Sequence, residues 1–143
     1  MPTVYRAMKM NSEGKPLIGS NARCLGVRVG AAEDDDINPK DDGTVEPNET
    51  EGMSVAPGWR LLMHWRIPRR LNGHGVAEAT GPDSNYCWKM GTGEFVDGAL
   101  TSQLRLKVTS VSHGAVQPVK RVQLSEYVTA LEATQPQWII DES

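Results

Sequence analysis

The chain has no long apolar run, few cysteines and none of the common nucleotide or hydrolase loops. Its longest apolar stretches are a few residues, so no segment is suited to cross a bilayer as a helix. Two cysteines, Cys24 and Cys87, are too few for a disulfide framework, and neither sits in a Cys-x-x-Cys pair. Both read as buried reduced thiols, since free cysteine packs as a small hydrophobe, and this points to the cytoplasm. The opening "MPTVYRAMKM" has no basic region followed by an apolar stretch, so no cleaved secretion signal is expected. There is no Gly-rich phosphate loop ending in Lys-Ser/Thr, no Gly-x-Ser-x-Gly elbow and no His-Glu-x-x-His. The three histidines, His64, His74 and His113, lie too far apart to share a metal by spacing.

What remains is a chain of 143 residues, read as one domain over 1–143 with a single core. Its formal charge of -3 is unevenly placed. Residues 33–51 hold nine acids and one base, Lys40, whereas the rest holds nine acids and fourteen bases. The acidic loop over 31–52 is therefore expected to be solvated, with residues 33–51 exposed and covering no large apolar area, set in a mildly basic body. The aspartates in it lack the calcium-loop pattern of alternate ligands with Gly and Glu at fixed places, so no metal is assigned.

"TVYRAMKM" predicts a first strand and "CLGVRVG", with Leu25, Val27 and Val29 alternating, a second. "VAPGWRLLMHWRIP" predicts a short helix after Pro57 or a strand ending at Pro68. Residues 72–86 read as loop and "CWKMG" as a short apolar segment. "LTSQLRLKVTSV" predicts a strand, and "HGAVQPVKRVQL" another strand or strand pair, at an edge because Pro118 interrupts it. "SEYVTALEAT" predicts a helix capped by Ser125, and Trp138, Ile139 and Ile140 are apolar enough to dock the tail on the body. The sum is an α+β domain, a loop-rich mixed β-sheet with a C-terminal helix.

Arg60, Arg66, Arg69 and Arg70 stand among Trp59, His64 and Trp65. Such a cluster is either a surface turn with snorkelling side chains or an anion site, where guanidinium forks hold phosphate and tryptophan stacks on a base or nicotinamide. The neighbouring acidic loop repels a polyanion, so a nucleotide-sized ligand fits better than nucleic acid. Ser54, between Gly52 and Pro57, is either a turn residue or the start of a strand lining a cleft.

Three blocks carry a family resemblance. "VYRAM" at 4–8 is similar to the first motif of ADP-ribosyltransferase-like domains, and "GMSV" at 52–55 to their Gly-Thr-Ser-Val step. "LRLKV", "SHGAVQP" and "VQLSEYVTALEAT" resemble the closing strand, His segment and final helix of one branch, the type VI secretion effector toxins of the Tse-two kind. The resemblance implies an ADP-ribosyltransferase fold and NAD as the substrate. It places Arg6 at the NAD phosphate or ribose, Ser54 as the residue orienting the cleft and the Arg, and His113 on the closing strand. Arg6, Ser54 and His113 are the implied catalytic set, and Tyr5, Arg6, Ser54, Trp59 and Arg60 the implied NAD contacts. It also implies an immunity protein as partner. The Glu/Gln-x-Glu motif of active transferases is not in the chain; Glu94 and Glu126 are the acids nearest its place. The alternative is a non-catalytic nucleotide-binding or protein-interaction module.

Overall fold

The computed structural model describes residues 1–30 and 35–143. It is an α+β protein of nine strands in three sheets with one α-helix near the C-terminal end, among the described residues. The first sheet pairs β1 (Val4–Lys9) with β4 (Asn85–Met90), and β4 with β9 (Ile139–Ile140), all antiparallel. A four-stranded antiparallel sheet runs in the order β3 (Met53–Val55), β7 (His113–Pro118), β6 (Leu104–Ser110) and β5 (Gly98–Ala99). A two-residue pair, β2 (Thr44–Val45) with β8 (Val122–Gln123), leads into α1 (Leu124–Glu132). Tyr5 and Ala56 exchange backbone hydrogen bonds of 2.8 and 2.9 Å, which ties β1 to the chain just beyond β3 and joins the two larger sheets.

Strand alternation sorts the side chains. Val4, Arg6 and Met8 share one face of β1, and Val4 and Met8 enter the main core with Trp88, Met90, Leu104, Leu106, Tyr127, Leu131 and Trp138. Tyr5 lies on the other face, over a second cluster built from Trp59, Ile67, Leu71, Ala79 and Cys87. In β3, Met53 and Val55 are buried in the main core, which turns Ser54 to the opposite face. Gly52 permits this strand to sit where it does. A Cβ there would stand 2.4 Å from the Val116 carbonyl oxygen. The Tyr127 hydroxyl completes the junction: it accepts the Met53 N–H at 3.1 Å and donates to Val116 O at 2.5 Å. Tyr127→Phe strands both buried backbone groups and is expected to cost about 1–3 kcal/mol in a urea titration; an unchanged midpoint would show that the two groups find other partners.

Several expectations need correction. "CLGVRVG" is not a strand, although Ile18 and Leu25 form one isolated bridge. The carbonyls of Cys24 and Gly26 accept hydrogen bonds from Arg6 instead of a neighbouring strand. β7 is not an edge: it lies between β3 and β6, and Pro118 is its last residue, opposite Leu104, where a missing N–H breaks no inner ladder bond. "VAPGWRLLMHWRIP" forms neither an α-helix nor one strand running to Pro68. Val55 closes β3, Ala56 bridges to Tyr5, and 3-10 turns follow at Trp59–Leu61 and Arg69–Leu71. The helix starts at Leu124, not after a Ser125 cap, and Gln123 at its cap makes no side-chain bond. The β2–β8 pairing and the Leu124 N–H bond to Gly43 O set its start.

The acidic loop is not wholly exposed. Ile37 and Val45 are buried in the main core, and the Gln117 side chain holds the carbonyls of Asn48 and Glu51. Its acids pair with bases at Arg28–Asp36, Lys40–Glu46, Lys107–Glu49 and Arg121–Asp42. The part of this loop at 31–34 lies outside the described residues. Both cysteines are buried and free, and burial pushes the Cys87 thiol up to about 12. No described helix is long and apolar enough to cross a membrane.

Candidate functional site

Where β1, β3 and β7 meet, Arg6, Ser54 and His113 line one cavity of about 90 Å³. The three come from segments 48 and 59 residues apart in sequence. Ser54 lies opposite Ala115 in the β3–β7 register, so Ser54, Ala115 and His113 share a face by alternation. The Ser54 hydroxyl and His113 Nε2 are 2.7 Å apart. On the other side of the ring, His113 Nδ1 is 2.6 Å from the Thr109 hydroxyl, which also bonds the His113 carbonyl at 3.0 Å. Thr109 reaches this place through a register irregularity between Val108 and Ser110, where the extra residue turns its side chain toward the hairpin end.

Arg6 is buried at 2 % exposure, and its guanidinium is spent on backbone carbonyls. It donates to Ser54 O at 2.7 Å and Cys24 O at 3.0 Å, with longer bonds to Gly26 O at 3.4 Å and Asn21 O at 3.5 Å. Burial lowers its pKa to about 10; nearby Asp36 opposes this shift, and Arg66 adds to it. Arg6 therefore acts first as a pin, joining β1 to β3 and to the chain at 21–26, with one side of the pin in the cavity wall.

Arg66 is the arginine of the 60–70 cluster that faces this cavity. Its backbone is held by its N–H on Met63 O at 2.9 Å and by the Asn85 side chain, which donates to Arg66 O at 3.0 Å. Buried Trp59 and Ile67 anchor the two ends of the segment and leave Leu61, Met63 and Trp65 about half exposed at its outer side. Burial lowers the Arg66 pKa, with Arg28 and Arg23 adding repulsion and Asp36 opposing them. Among the described residues no hydrogen bond or salt bridge engages the Arg66 guanidinium. Burial, with help from Arg66 and against Asp36, lowers the His113 pKa as well. Among the described residues no Asp or Glu lines the cavity, and the charged side chains in its wall are Arg6 and Arg66.

The other residues singled out in the sequence lie elsewhere. Tyr5 points away and donates to Asp141 at 2.7 Å; burial and that bond push its pKa up to about 12. Trp59 is buried and donates to Ser143 O at 3.1 Å. Arg60 stacks on Trp59 at 4.3 Å and binds the carbonyls of His74 and Ser143. Arg70 pairs with Glu142 at 2.6 Å and sits over Tyr86. Tyr5, Trp59 and Arg60 do not line the cavity that Arg6, Ser54 and His113 share. Arg66, Thr109, Leu61 and Met63 belong to its surroundings without having been separated from their neighbours in the sequence. Four arginines in one cluster gave no sign of which one turns inward, and a bulge has no local signature.

The donor set suits a phosphate or ribose: a guanidinium without a hydrogen-bond or ion-pair partner among the described residues, a hydroxyl and an imidazole around a space sized for one such group. A whole dinucleotide is larger than this space, and the rest of it would have to lie across the exposed Leu61 and Met63 at its wall. No group of three or more His, Cys, Asp or Glu side chains converges as a metal site among the described residues. No family model matches the sequence, and neither a curated protein nor a solved structure matches the chain.

Proposed function

We propose that this chain is an ADP-ribosyltransferase-like, toxin-type domain whose cavity takes the phosphate and ribose part of NAD. The observation that carries the reading is the convergence of Arg6, Ser54 and His113 in one cavity wall, together with Arg66. In this reading Arg66 holds a phosphate oxygen, Ser54 and His113 bind ribose or phosphate hydroxyls, and Arg6 keeps β1 and β3 at the right separation. The exposed Leu61 and Met63 at the cavity wall give a base or nicotinamide an apolar surface to rest on. An immunity protein belongs to the same reading and would act by covering that mouth.

A second reading, nucleotide binding without turnover, is favoured by one observation. Loss of nicotinamide builds positive charge on the ribose, and a carboxylate is the usual stabiliser of such charge. Among the described residues the cavity wall offers none.

One titration tests both. Calorimetry with NAD is expected to give a binding isotherm, and Arg66→Gln to weaken it by about ten- to a hundred-fold, the worth of one charge-assisted contact. No heat and no thermal shift at millimolar NAD would end both NAD readings. Free nicotinamide measured in the same samples separates them: its release supports the transferase, and binding without release supports the non-catalytic form.

A further inference from the structure

We propose that Ser54 is a base-activated nucleophile, with His113 as its proton acceptor and Thr109 fixing the tautomer of His113, acting on the phosphorus of a phosphate ester or anhydride. This goes beyond NAD binding and does not depend on it.

The hydrogen bonds around His113 constrain where the protons lie. The His113 carbonyl can only accept, so at 3.0 Å the Thr109 hydroxyl donates to it. That hydroxyl has one proton. Toward His113 Nδ1, 2.6 Å away, it can then only accept, so Nδ1 carries hydrogen. Two forms satisfy this: a neutral ring with a lone pair on Nε2, or an imidazolium. The charged groups facing the ring decide between them. Arg66 and Arg6 share its cavity wall, and Asp36 is the acid whose charge reaches it. Burial and Arg66 outweigh Asp36 and favour the neutral ring. Nε2 then accepts from the Ser54 hydroxyl at 2.7 Å. A serine hydroxyl on a neutral imidazole whose far nitrogen is held by a third side chain has the geometry of an activated nucleophile.

Ser54 is part-exposed at the cavity, and Arg66, whose guanidinium has no hydrogen-bond or ion-pair partner among the described residues, stands in the same wall, where it can meet phosphoryl oxygens. In the step, Ser54 Oγ forms a bond to phosphorus as the bond from phosphorus to the leaving oxygen breaks. The Ser54 proton passes to His113 Nε2 and then to that leaving oxygen, which balances this first displacement. In a second displacement a water oxygen bonds to phosphorus as the bond from phosphorus to Ser54 Oγ breaks; His113 Nε2 takes the water proton and returns it to Ser54 Oγ, which restores the hydroxyl.

The test is labelling of the intact chain with a fluorophosphonate probe, read by peptide mass spectrometry. The expected result is one adduct, on Ser54, with fluoride as leaving group. The rate should rise with pH as His113 loses its proton, and the midpoint should fall below the ordinary histidine value of 6.5 because the ring is held neutral. His113→Gln keeps a hydrogen bond to Ser54 but cannot take its proton, and should slow labelling by about a hundred-fold or more. Thr109→Val should slow it, and Thr109→Ser, which keeps the hydroxyl, should restore it. Melting curves establish that each variant is folded. No Ser54 adduct on folded protein from about pH 5 to about pH 9, or equal labelling of folded His113→Gln, would overturn the proposal. Failure of the NAD titration leaves this result standing, and failure of labelling leaves the NAD reading standing.

Discussion

Trp138→Ala is expected to lower stability by about 3–5 kcal/mol and the melting temperature by roughly 10–15 °C. Trp138 has no exposed surface and belongs to the main core, although its neighbours Ile139 and Ile140 are 57 % and 39 % exposed. Its indole N–H donates to the Thr134 hydroxyl at 2.9 Å, which in turn donates to Leu131 O at 2.7 Å at the end of α1. Alanine leaves a cavity the size of an indole and an unpaired Thr134 acceptor. It also loosens the turn at Gln135–Gln137 that feeds β9 onto β4. Trp138→Phe refills part of the volume without the N–H and should recover about half of the loss. Chemical denaturation of the three proteins checks this, and a loss below about 1 kcal/mol for alanine would mean the tail is not part of the cooperative core.

Arg6→Ala is expected to lower stability by about 2–4 kcal/mol, close to 10 °C in melting temperature. The charge-assisted bonds to Ser54 O and Cys24 O are the shortest of its set, and both carbonyls are left without that donor. Release from the cost of burying the guanidinium offsets part of the loss. Arg6→Lys places a single ammonium where a fork is needed and should recover little. The consequence for any growth or activity assay is direct. Loss of function in Arg6→Ala would report unfolding as readily as lost binding, so Arg66→Gln and His113→Gln are the informative variants. Full stability of Arg6→Ala would show that the pin is dispensable and return Arg6 to the ligand.

Segments whose pattern is local could be read directly. β1 at Val4–Lys9, β6 at Leu104–Ser110 and the helix near 124–132 were legible because alternation and helical spacing are set within a few residues. The polar character of Ser54 within Gly-Met-Ser-Val was legible too, as was the presence of an arginine on β1. The charge of each residue around 60–70 was visible, but not its direction.

The sequence by itself determined the α+β class, the two lone thiols and the helix near the end; Arg6, Ser54 and His113 were singled out as a set only through a family resemblance. Only the tertiary structure decided how they are used. It turned the carbonyls of Cys24 and Gly26 to Arg6, so "CLGVRVG" lost its strand and Arg6 lost its freedom. It sent Arg60 and Arg70 to the C-terminal segment and Arg66 to the cavity. It drew Ile37 and Val45 of the acidic loop into the core. The physical reason is the same each time. A buried backbone carbonyl, a guanidinium and an apolar side chain each need a partner, and here that partner lies tens of residues away, beyond the reach of any local pattern.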